Sequence, residues 1–372
     1  MRVIIAAAGT GGHINPGIAI ANKIRQKQPN SEIIFIGTNR GLENDLVPRA
    51  GYGLKTIEAY GLKKELSITN LKHMIQTIGS KKEAEKIIDE FKPDVVIGTG
   101  GYICGPVISS AIKKGIPTVL HESNAYPGKA VKLFSKKVDL VLCGFADTKA
   151  RLEGTKKVVV TGTPTKIRKI DISKQRKREI LEEIGIKNEL PIVLIYGGSQ
   201  GAQKINQAVE ELIKDKKNEK YQIIWATGPK QYDLVKEYFE KNYININRID
   251  NVKIIPYIYN MEEMMNISDL MVCRSGAMTI TEISIVGKPA IFIPLPSMSA
   301  NRQEDNALVL KKIGAAKIIL NEKLTSENLA SEINDIIYDE HELAEMGKIA
   351  NTIAPSDVEE KIYQEIVELI KK

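Results

Sequence analysis

Val3-Ile4-Ile5-Ala6-Ala7-Ala8 followed by Gly9-Thr10-Gly11-Gly12-His13-Ile14-Asn15-Pro16-Gly17 is an apolar strand run that stops at a glycine loop. It passes into a helical pattern with apolar residues at Ile18, Ala19, Ala21 and Ile24. A strand, glycine loop and helix in that order aim backbone N–H groups and a helix N-terminus at an anionic ligand. Three glycines in four positions let a ligand approach the backbone where a β-carbon would obstruct it. The loop also carries His13, one of only four histidines.

The same alternation runs outward from this stretch. Strand-like runs at Val3–Ala8, Glu32–Gly37, Leu54–Glu58, Asp94–Gly98, Pro117–His121, Asp139–Cys143 and Lys157–Thr161 are separated by helical patterns. Several are near-continuous Val/Ile runs, as expected of parallel strands covered on both faces. After Thr161-Gly162-Thr163-Pro164 the chain turns basic and poor in apolar residues, from Lys166 to Arg178. Alternation then resumes at Ile192–Tyr196, Gln222–Ala226, Val252–Ile255, Asp269–Cys273, Ala290–Pro294 and Ala316–Ile319. The expected fold class is therefore α/β, with two Rossmann-like doubly wound domains facing each other across a cleft. The boundary is placed near Pro164, giving a first domain of residues 1–164 and a second of 165–354. The tail from about 355 to 372 reads as an amphipathic helix with Val358, Ile362, Ile366 and Ile370 on one face. Ser356-Asp357-Val358-Glu359 has the form of a capping box, and the helix is expected to pack back on the first domain.

A chain of 372 residues is long enough for two domains. Its 53 basic and 46 acidic residues leave a net charge of +7, a modest lean that suits an anionic substrate or an acidic membrane surface. The same lean, with few aromatic residues, argues against nucleic acid as a partner. Cys104, Cys143 and Cys273 are odd in number and far apart, which fits a reducing compartment and gives no metal-ligand spacing. No apolar run reaches the roughly 18 residues of a membrane span. A cytoplasmic protein, soluble or peripheral, is the expectation.

Dinucleotide binding by the first loop is disfavoured. Counting from Gly9, the sixth fingerprint position is Ile14 in place of glycine, and the second strand ends Phe35-Ile36-Gly37-Thr38 without an acidic residue. No Gly-Lys-Ser/Thr follows the glycines, so a P-loop is disfavoured too. Further polar loops sit at the C-terminal ends of strands, where doubly wound sheets place their sites. They are Gly98-Thr99-Gly100-Gly101-Tyr102, His121-Glu122-Ser123-Asn124, Gly197-Gly198-Ser199-Gln200-Gly201 and Arg274-Ser275-Gly276-Ala277-Met278-Thr279-Ile280-Thr281-Glu282. His121 beside Glu122 suits a base and its orienter, or a hydrogen-bonded structural histidine. A carboxylate at Glu282, about one turn into a helix, suits the hydroxyls of a ribose while the helix start faces phosphate; favourable interaction with the helix dipole is the plainer reading. No Asp-x-Asp occurs. A departing diphosphate would then be stabilised by helix dipoles and backbone N–H groups, without a metal or cofactor.

Taken in order, these loops resemble the MurG-type N-acetylglucosaminyltransferases of bacterial peptidoglycan synthesis, glycosyltransferases of the GT-B architecture. The resemblance rests on Gly9-Thr10-Gly11-Gly12-His13 with Pro16-Gly17, Gly98 to Tyr102 with Gly105-Pro106, and His121-Glu122-x-Asn124. In the second half it rests on Gly197 to Ala202, on Arg274-Ser275-Gly276-Ala277-x-Thr279 with Glu282, and on Gln303 with Asn306-Ala307. Together they span nearly the whole chain. The resemblance implies inverting transfer of N-acetylglucosamine from UDP-N-acetylglucosamine to the muramyl sugar of an undecaprenyl-diphosphate-linked pentapeptide. It assigns the donor to the second domain, with Ser199 at the diphosphate, Ile258 at the uracil, Ala277, Met278, Thr279, Ile280 and Thr281 at diphosphate and uridine, Glu282 at the ribose and Gln303 at the sugar. Thr10, Gly11, Gly12 and Asn124 of the first domain would line the cleft. Two departures stand out. Gly162-Thr163-Pro164-Thr165-Lys166 replaces the family's Gly-Asn-Pro-x-Arg, so Lys166 keeps the charge of a donor contact but not its planar fork. Arg302 precedes Gln303 where the family has histidine.

Inversion in one displacement needs a base for the acceptor hydroxyl. His13 is the first candidate and Glu122 the second. Leu71, Met74, Ile75 and Ile78, interleaved with Lys72 and preceded by Lys63 and Lys64, form an apolar stripe edged with lysines. Such a stripe suits an anionic leaflet at the cytoplasmic face of the cell membrane, or a helix packed on its own sheet. Other readings of the same loops are a different UDP-sugar GT-B transferase, a UDP-N-acetylglucosamine epimerase, or a non-catalytic nucleotide-binding subunit.

Overall fold

The computed structural model describes residues 1–59, 68–186, 190–198, 200–296 and 302–371; the side chains of 68–78 and of residue 247 are not described. The chain divides into two compact units, Met1–Thr165 with Pro355–Lys372, and Lys166–Ala354.

In the first unit seven parallel strands lie in the order β3-β2-β1-β4-β5-β6-β7. They are β1 (Arg2–Ala7), β2 (Glu32–Gly37), β3 (Gly53–Thr56), β4 (Val95–Gly100), β5 (Thr118–Glu122), β6 (Leu140–Cys143) and β7 (Val158–Val160). Val3, Ile4 and Ile5 are all fully buried because helices cover both faces. On one face the apolar side chains of α1 (Gly11–Lys27) and α2 (Glu43–Arg49) join those of the sheet. On the other are α3 (Ile68–Phe91), α4 (Cys104–Lys113) and α5 (Lys129–Phe134). A short α6 (Ala146–Lys149) follows β6. Strand order reverses between β1 and β4, so the loops leaving those two strands flank the crevice of the sheet.

The second unit opens with α7 (Lys174–Ile184) and repeats the plan with six parallel strands, order β10-β9-β8-β11-β12-β13. These are β8 (Ile192–Tyr196), β9 (Gln222–Ala226), β10 (Val252–Ile255), β11 (Leu270–Cys273), β12 (Ala290–Phe292) and β13 (Ala316–Ile318). The helices are α8 (Gln203–Lys214), α9 (Tyr232–Lys241), α10 (Met261–Ile267), α11 (Ala277–Val286), α12 (Gln303–Lys311), α13 (Ser326–Ile337) and α14 (Glu340–Thr352). Here the order reverses between β8 and β11, which places the Gly197 and Arg274 loops at the switch point.

The last helix, α15 (Val358–Ile370), packs against α1 in the first unit. Val358, Ile362 and Ile366 enter its core, and Ile370 packs at the margin. Glu360 pairs with Lys23 and Lys27, both at 2.9 Å, and Lys157 with Glu365 at 2.6 Å. The helix does not open with the expected capping box. Its N-cap is Asp357, in the left-handed region at φ 53°, with no side-chain cap bond. One residue of αL backbone moves the helix start past Ser356, so that Ser356 is not the cap residue.

Candidate functional site

In the first unit the backbone leaves β1 at Ala8 and Gly9 and starts α1 at Gly11, earlier than the apolar periodicity from Ile18 suggests. The first helical N–H groups need no intrahelical partner, so the glycines serve as a first turn, and Pro16 forfeits only one bond inside the helix. Thr10 is the N-cap, with extended backbone and no side-chain cap bond. The N–H groups of His13 and Ile14 donate back to its carbonyl at 3.0 and 3.2 Å. Gly11 and Gly12 thus present the helix's first N–H groups, and Thr10 and Gly12 are exposed.

His13 is held on three sides. Its Nδ1 lies 3.1 Å from the Ala8 carbonyl oxygen, and its own carbonyl accepts a hydrogen bond from Thr99 Oγ1 at 2.8 Å. A carbonyl only accepts, so Nδ1 carries the proton and Nε2 of the neutral ring keeps its lone pair. The ring rests against Gly100, where a β-carbon would overlap Cδ2. A β-carbon at Gly101 would stand 2.6 Å from the Ala8 oxygen. The glycine loops after β1 and β4 are therefore two halves of one packing arrangement.

Glu122 ends β5 with its carboxylate almost fully buried and fully engaged. Oε1 accepts from Asn124 N at 3.0 Å and Asn124 Nδ2 at 2.9 Å, and Oε2 from Gly128 N at 2.6 Å. This carboxylate shapes the Asn124 loop, which Thr148 Oγ1 also binds through the Asn124 carbonyl at 2.7 Å. His121 is buried, its Nε2 donating to the Gly162 carbonyl at 3.3 Å. Burial pushes its pKa down to about 4 against the opposing pull of that hydrogen bond. The structure makes His121 a neutral, hydrogen-bonded histidine of the sheet. The three cysteines are also buried, and burial pushes each thiol up to about 12, far from a nucleophile's range.

In the second unit β8 runs into Gly197, where a β-carbon would stand 2.5 Å from that of Ala202. Asn206 on α8 ties the turn below, donating to the Thr227 carbonyl at 2.9 Å and accepting from Trp225 Nε1 at 3.1 Å. At the end of β11, Arg274 Nη1 donates to the carbonyls of Ile293 and Pro294 and to Asn321 Oδ1, at 2.8 to 3.1 Å. Burial lowers its pKa. Arg274 is thus a strut between strand ends.

Gly276 caps α11 with extended backbone, and Ile280 N is the first to bond back to it, at 3.1 Å. Ala277, Met278 and Thr279 supply the N–H groups of the first turn. The side chains of Ala277, Ile280 and Thr281 are buried, Thr281 Oγ1 donating to the Ala277 carbonyl at 3.2 Å, so Met278 and Thr279 are the partly exposed side chains here. Glu282 is half-buried on the next turn; after burial and Cys273, its charge helps hold the Tyr196 phenol far above its ordinary pKa. Glu282 thus sits on α11, the helix that follows β11. Gln303 begins α12; its carbonyl accepts from Ser275 Oγ at 2.8 Å and its Oε1 from Leu295 N at 2.9 Å. Ile258 is buried after β10, between the exposed Tyr257 and Tyr259, and Lys166 is exposed.

The switch points carry Thr10, Gly11, Gly12 and His13 in the first unit and Ala277 to Glu282 in the second, where Ser275 ties in Gln303 of α12. Glu122 and Asn124 stand one strand away at the end of β5, Ile258 follows the edge strand β10, and Lys166 precedes α7. Ser199 lies outside the described residues, as do Lys63 and Lys64; Lys72 and the stripe from Leu71 to Ile78 fall in the part of α3, residues 68–78, where only the backbone is described. Among the described residues no helix is long and apolar enough to cross a membrane, and no His, Cys, Asp and Glu cluster has the makings of a metal site. The sequence reading missed Glu43, a fully buried carboxylate bonded to Gly9 N at 2.9 Å. Its signal was Gly37 and Gly41, whose missing β-carbons make its room.

Residues 3–143 match the glycosyltransferase family 28 N-terminal domain, and residues 192–362 match the family 28 C-terminal domain. A relative from Acetivibrio thermocellus is named UDP-N-acetylglucosamine--N-acetylmuramyl-(pentapeptide) pyrophosphoryl-undecaprenol N-acetylglucosamine transferase. It is 43% identical over 373 residues, covering 100% of this chain and 99% of its own. One of the same name from Clostridioides difficile is 39% identical, over 99% of this chain and 89% of its own. Among solved structures, Acinetobacter baumannii MurG superposes with a TM-score of 0.77 at 28% identity, covering 100% of this chain and 99% of that one. The UDP-GlcNAc 2-epimerase from Neisseria meningitidis bound to UDP-GlcNAc shares the fold, with a TM-score of 0.67 at 15% identity over 99% of this chain and 100% of that one.

Proposed function

The chain belongs to glycosyltransferase family 28, and we infer that it transfers N-acetylglucosamine from UDP-N-acetylglucosamine to the muramyl sugar of an undecaprenyl-diphosphate-linked pentapeptide. The observation that carries this reading is the full-length match, at 43% identity, to enzymes named for that reaction. The fold is GT-B, two doubly wound parallel units.

The second unit holds the donor. The first N–H groups of α11, at Ala277, Met278 and Thr279, face the diphosphate with the helix dipole behind them, so the leaving UDP is stabilised without a metal. Glu282, one turn on, accepts the ribose hydroxyls, the backbone around Ile258 meets the uracil, and Gln303 meets the sugar. Ser199 and Lys166 complete the phosphate side. The first unit holds the acceptor, its diphosphate at the N–H groups of Gly11 and Gly12, with Thr10 and Asn124 near the transferred sugar.

His13 is the base. The Ala8 carbonyl fixes the ring's proton on Nδ1 and leaves Nε2 to take the proton of the attacking hydroxyl as the C–O bond to UDP breaks. Glu122 is less suited, because three hydrogen bonds from its own loop occupy its carboxylate. The enzyme works at the cytoplasmic membrane face, where a lipid-linked acceptor is presented.

UDP release measured with and without the lipid-linked muramyl acceptor tests the function. Release only with acceptor supports it. Epimerisation of the donor without acceptor, or no turnover when acceptor is added, would overturn it.

A further inference from the structure

Behind the Gly9 loop stands a carboxylate that solvent does not reach. Glu43, the first residue of α2, is fully buried and has no ion pair among the described residues. Oε2 accepts from Gly9 N at 2.9 Å, and Oε1 accepts from Thr38 N at 2.9 Å and Thr38 Oγ1 at 2.7 Å. A buried charge without a cation is costly unless hydrogen bonds replace its water. Burial by itself would raise the Glu43 pKa, but the bonds from Gly9 and Thr38 hold it below its ordinary value, so the group is an anion at neutral pH. The chain makes space for it, since a β-carbon at Gly37 would lie 2.7 Å from Glu43 Cγ and one at Gly41 would overlap its carboxylate.

Two features show what this arrangement does. The Gly9 N–H, which in a phosphate-binding loop would face the ligand, already faces an internal anion, so an external phosphate is left with the N–H groups further on, at Gly11 and Gly12. Gly9 also adjoins Ala8, whose carbonyl orients the His13 ring. Only a carboxylate accepts from both sides; a glutamine of the same shape would set its NH2 against the N–H of Gly9 or of Thr38.

We propose that Glu43 is the positioning residue of the acceptor-side loop, fixing Gly9 so that Thr10, Gly11 and Gly12 and the Ala8–His13 hydrogen bond hold the geometry used in transfer. This rests on the transferase reading above. The residue touches no substrate and acts through Gly9.

The test is Glu43→Gln, with Glu43→Asp as the variant that keeps the charge. Steady-state kinetics with the lipid-linked acceptor and UDP-N-acetylglucosamine are combined with amide hydrogen exchange of the full chain. In Glu43→Gln, kcat/KM for acceptor falls about tenfold to a hundredfold, the donor KM stays within about twofold, and exchange quickens in residues 9–13 before it does in β4 and β5. Glu43→Asp recovers part of the loss, and its kinetics decide the matter if Glu43→Gln does not fold. A fall in kcat with both KM values unmoved and residues 9–13 exchanging as in the wild type would mark a general structural role and overturn the proposal. If the wild type itself shows no acceptor-dependent turnover, the transferase reading fails, while the exchange result still decides whether Glu43 holds the loop.

Discussion

The imidazole of His13 lies against the α-carbon of Gly100: a β-carbon there would overlap Cδ2 and stand 2.7 Å from Cγ and 3.0 Å from Nε2. The first turn of α1 supplies the ring, and the end of β4 supplies the absence of a side chain that lets the ring sit. Gly100→Ala should therefore act as a histidine mutation. We expect kcat to fall about a hundredfold in Gly100→Ala and by a comparable factor, about 10² to 10⁴, in His13→Ala. The double variant should be no worse than the weaker single one. If the two losses multiply, the residues act independently and the link is wrong.

His121 gives a pH dependence of stability. Its folded pKa of about 4 lies below the roughly 6.5 of an unfolded histidine. Below pH 6.5 the unfolded chain therefore binds a proton that the folded chain refuses, and stability declines as pH falls through that window. The loss should reach about 2–3 kcal/mol by pH 4.5, at roughly 1.4 kcal/mol per unit. Urea midpoints at pH 7, 5.5 and 4.5 measure it. In His121→Gln this part of the slope should vanish, and an unchanged slope would assign it elsewhere.

The docking of α15 is an apolar contact trimmed with charge. Ile366→Ala should cost about 2–5 kcal/mol, as for a buried isoleucine replaced by a small side chain. Glu360→Gln breaks the pairs with Lys23 and Lys27 on a solvated rim and should leave the unfolding midpoint nearly unmoved. Thermal unfolding of both variants gives the ranking, and the reverse order would show that charge holds the helix.

At the proposed donor site, Gln303 holds Leu295 N through its side chain while Ser275 holds Gln303 through its carbonyl. Gln303→Ala should raise the donor KM about tenfold, equivalent to 1.4 kcal/mol, and leave the acceptor KM alone. Equal changes in both would place Gln303 outside the donor site.

The α/β class was legible because its signals are local. Ile192–Tyr196 and Gln222–Ala226 are apolar runs between turn residues, and each is a strand over those same residues. Helix starts were less legible. Gly11, Gly12 and Pro16 look like loop by propensity, yet they form the first two turns of α1, where the missing bonds cost little. Asp357 was unreadable for a related reason, since nothing in Ser356-Asp357-Val358-Glu359 announces a residue at positive φ. For the site, the glycine clusters were visible one by one, but their contact was not. That His13 needs Gly100, and that Gly9 needs Glu43, depends on strands brought together by the sheet order, which no short spacing records.

The first unit is made of two pieces of chain, and that sets an order of events during synthesis. Residues 1–165 leave the ribosome first, with α1 and the His13 turn among them, while Ile362 and Ile366 emerge only after the whole second unit has been made. Until then the face of α1 that α15 covers is open to water, and the nascent first unit lacks part of its core. The His13 loop is thus among the first segments translated and among the last to be fully supported. A chain cut short before residue 358 would carry Thr10, Gly11, Gly12, His13 and Asn124 on a unit that lacks part of its core, while the second unit, Lys166–Ala354, is already whole.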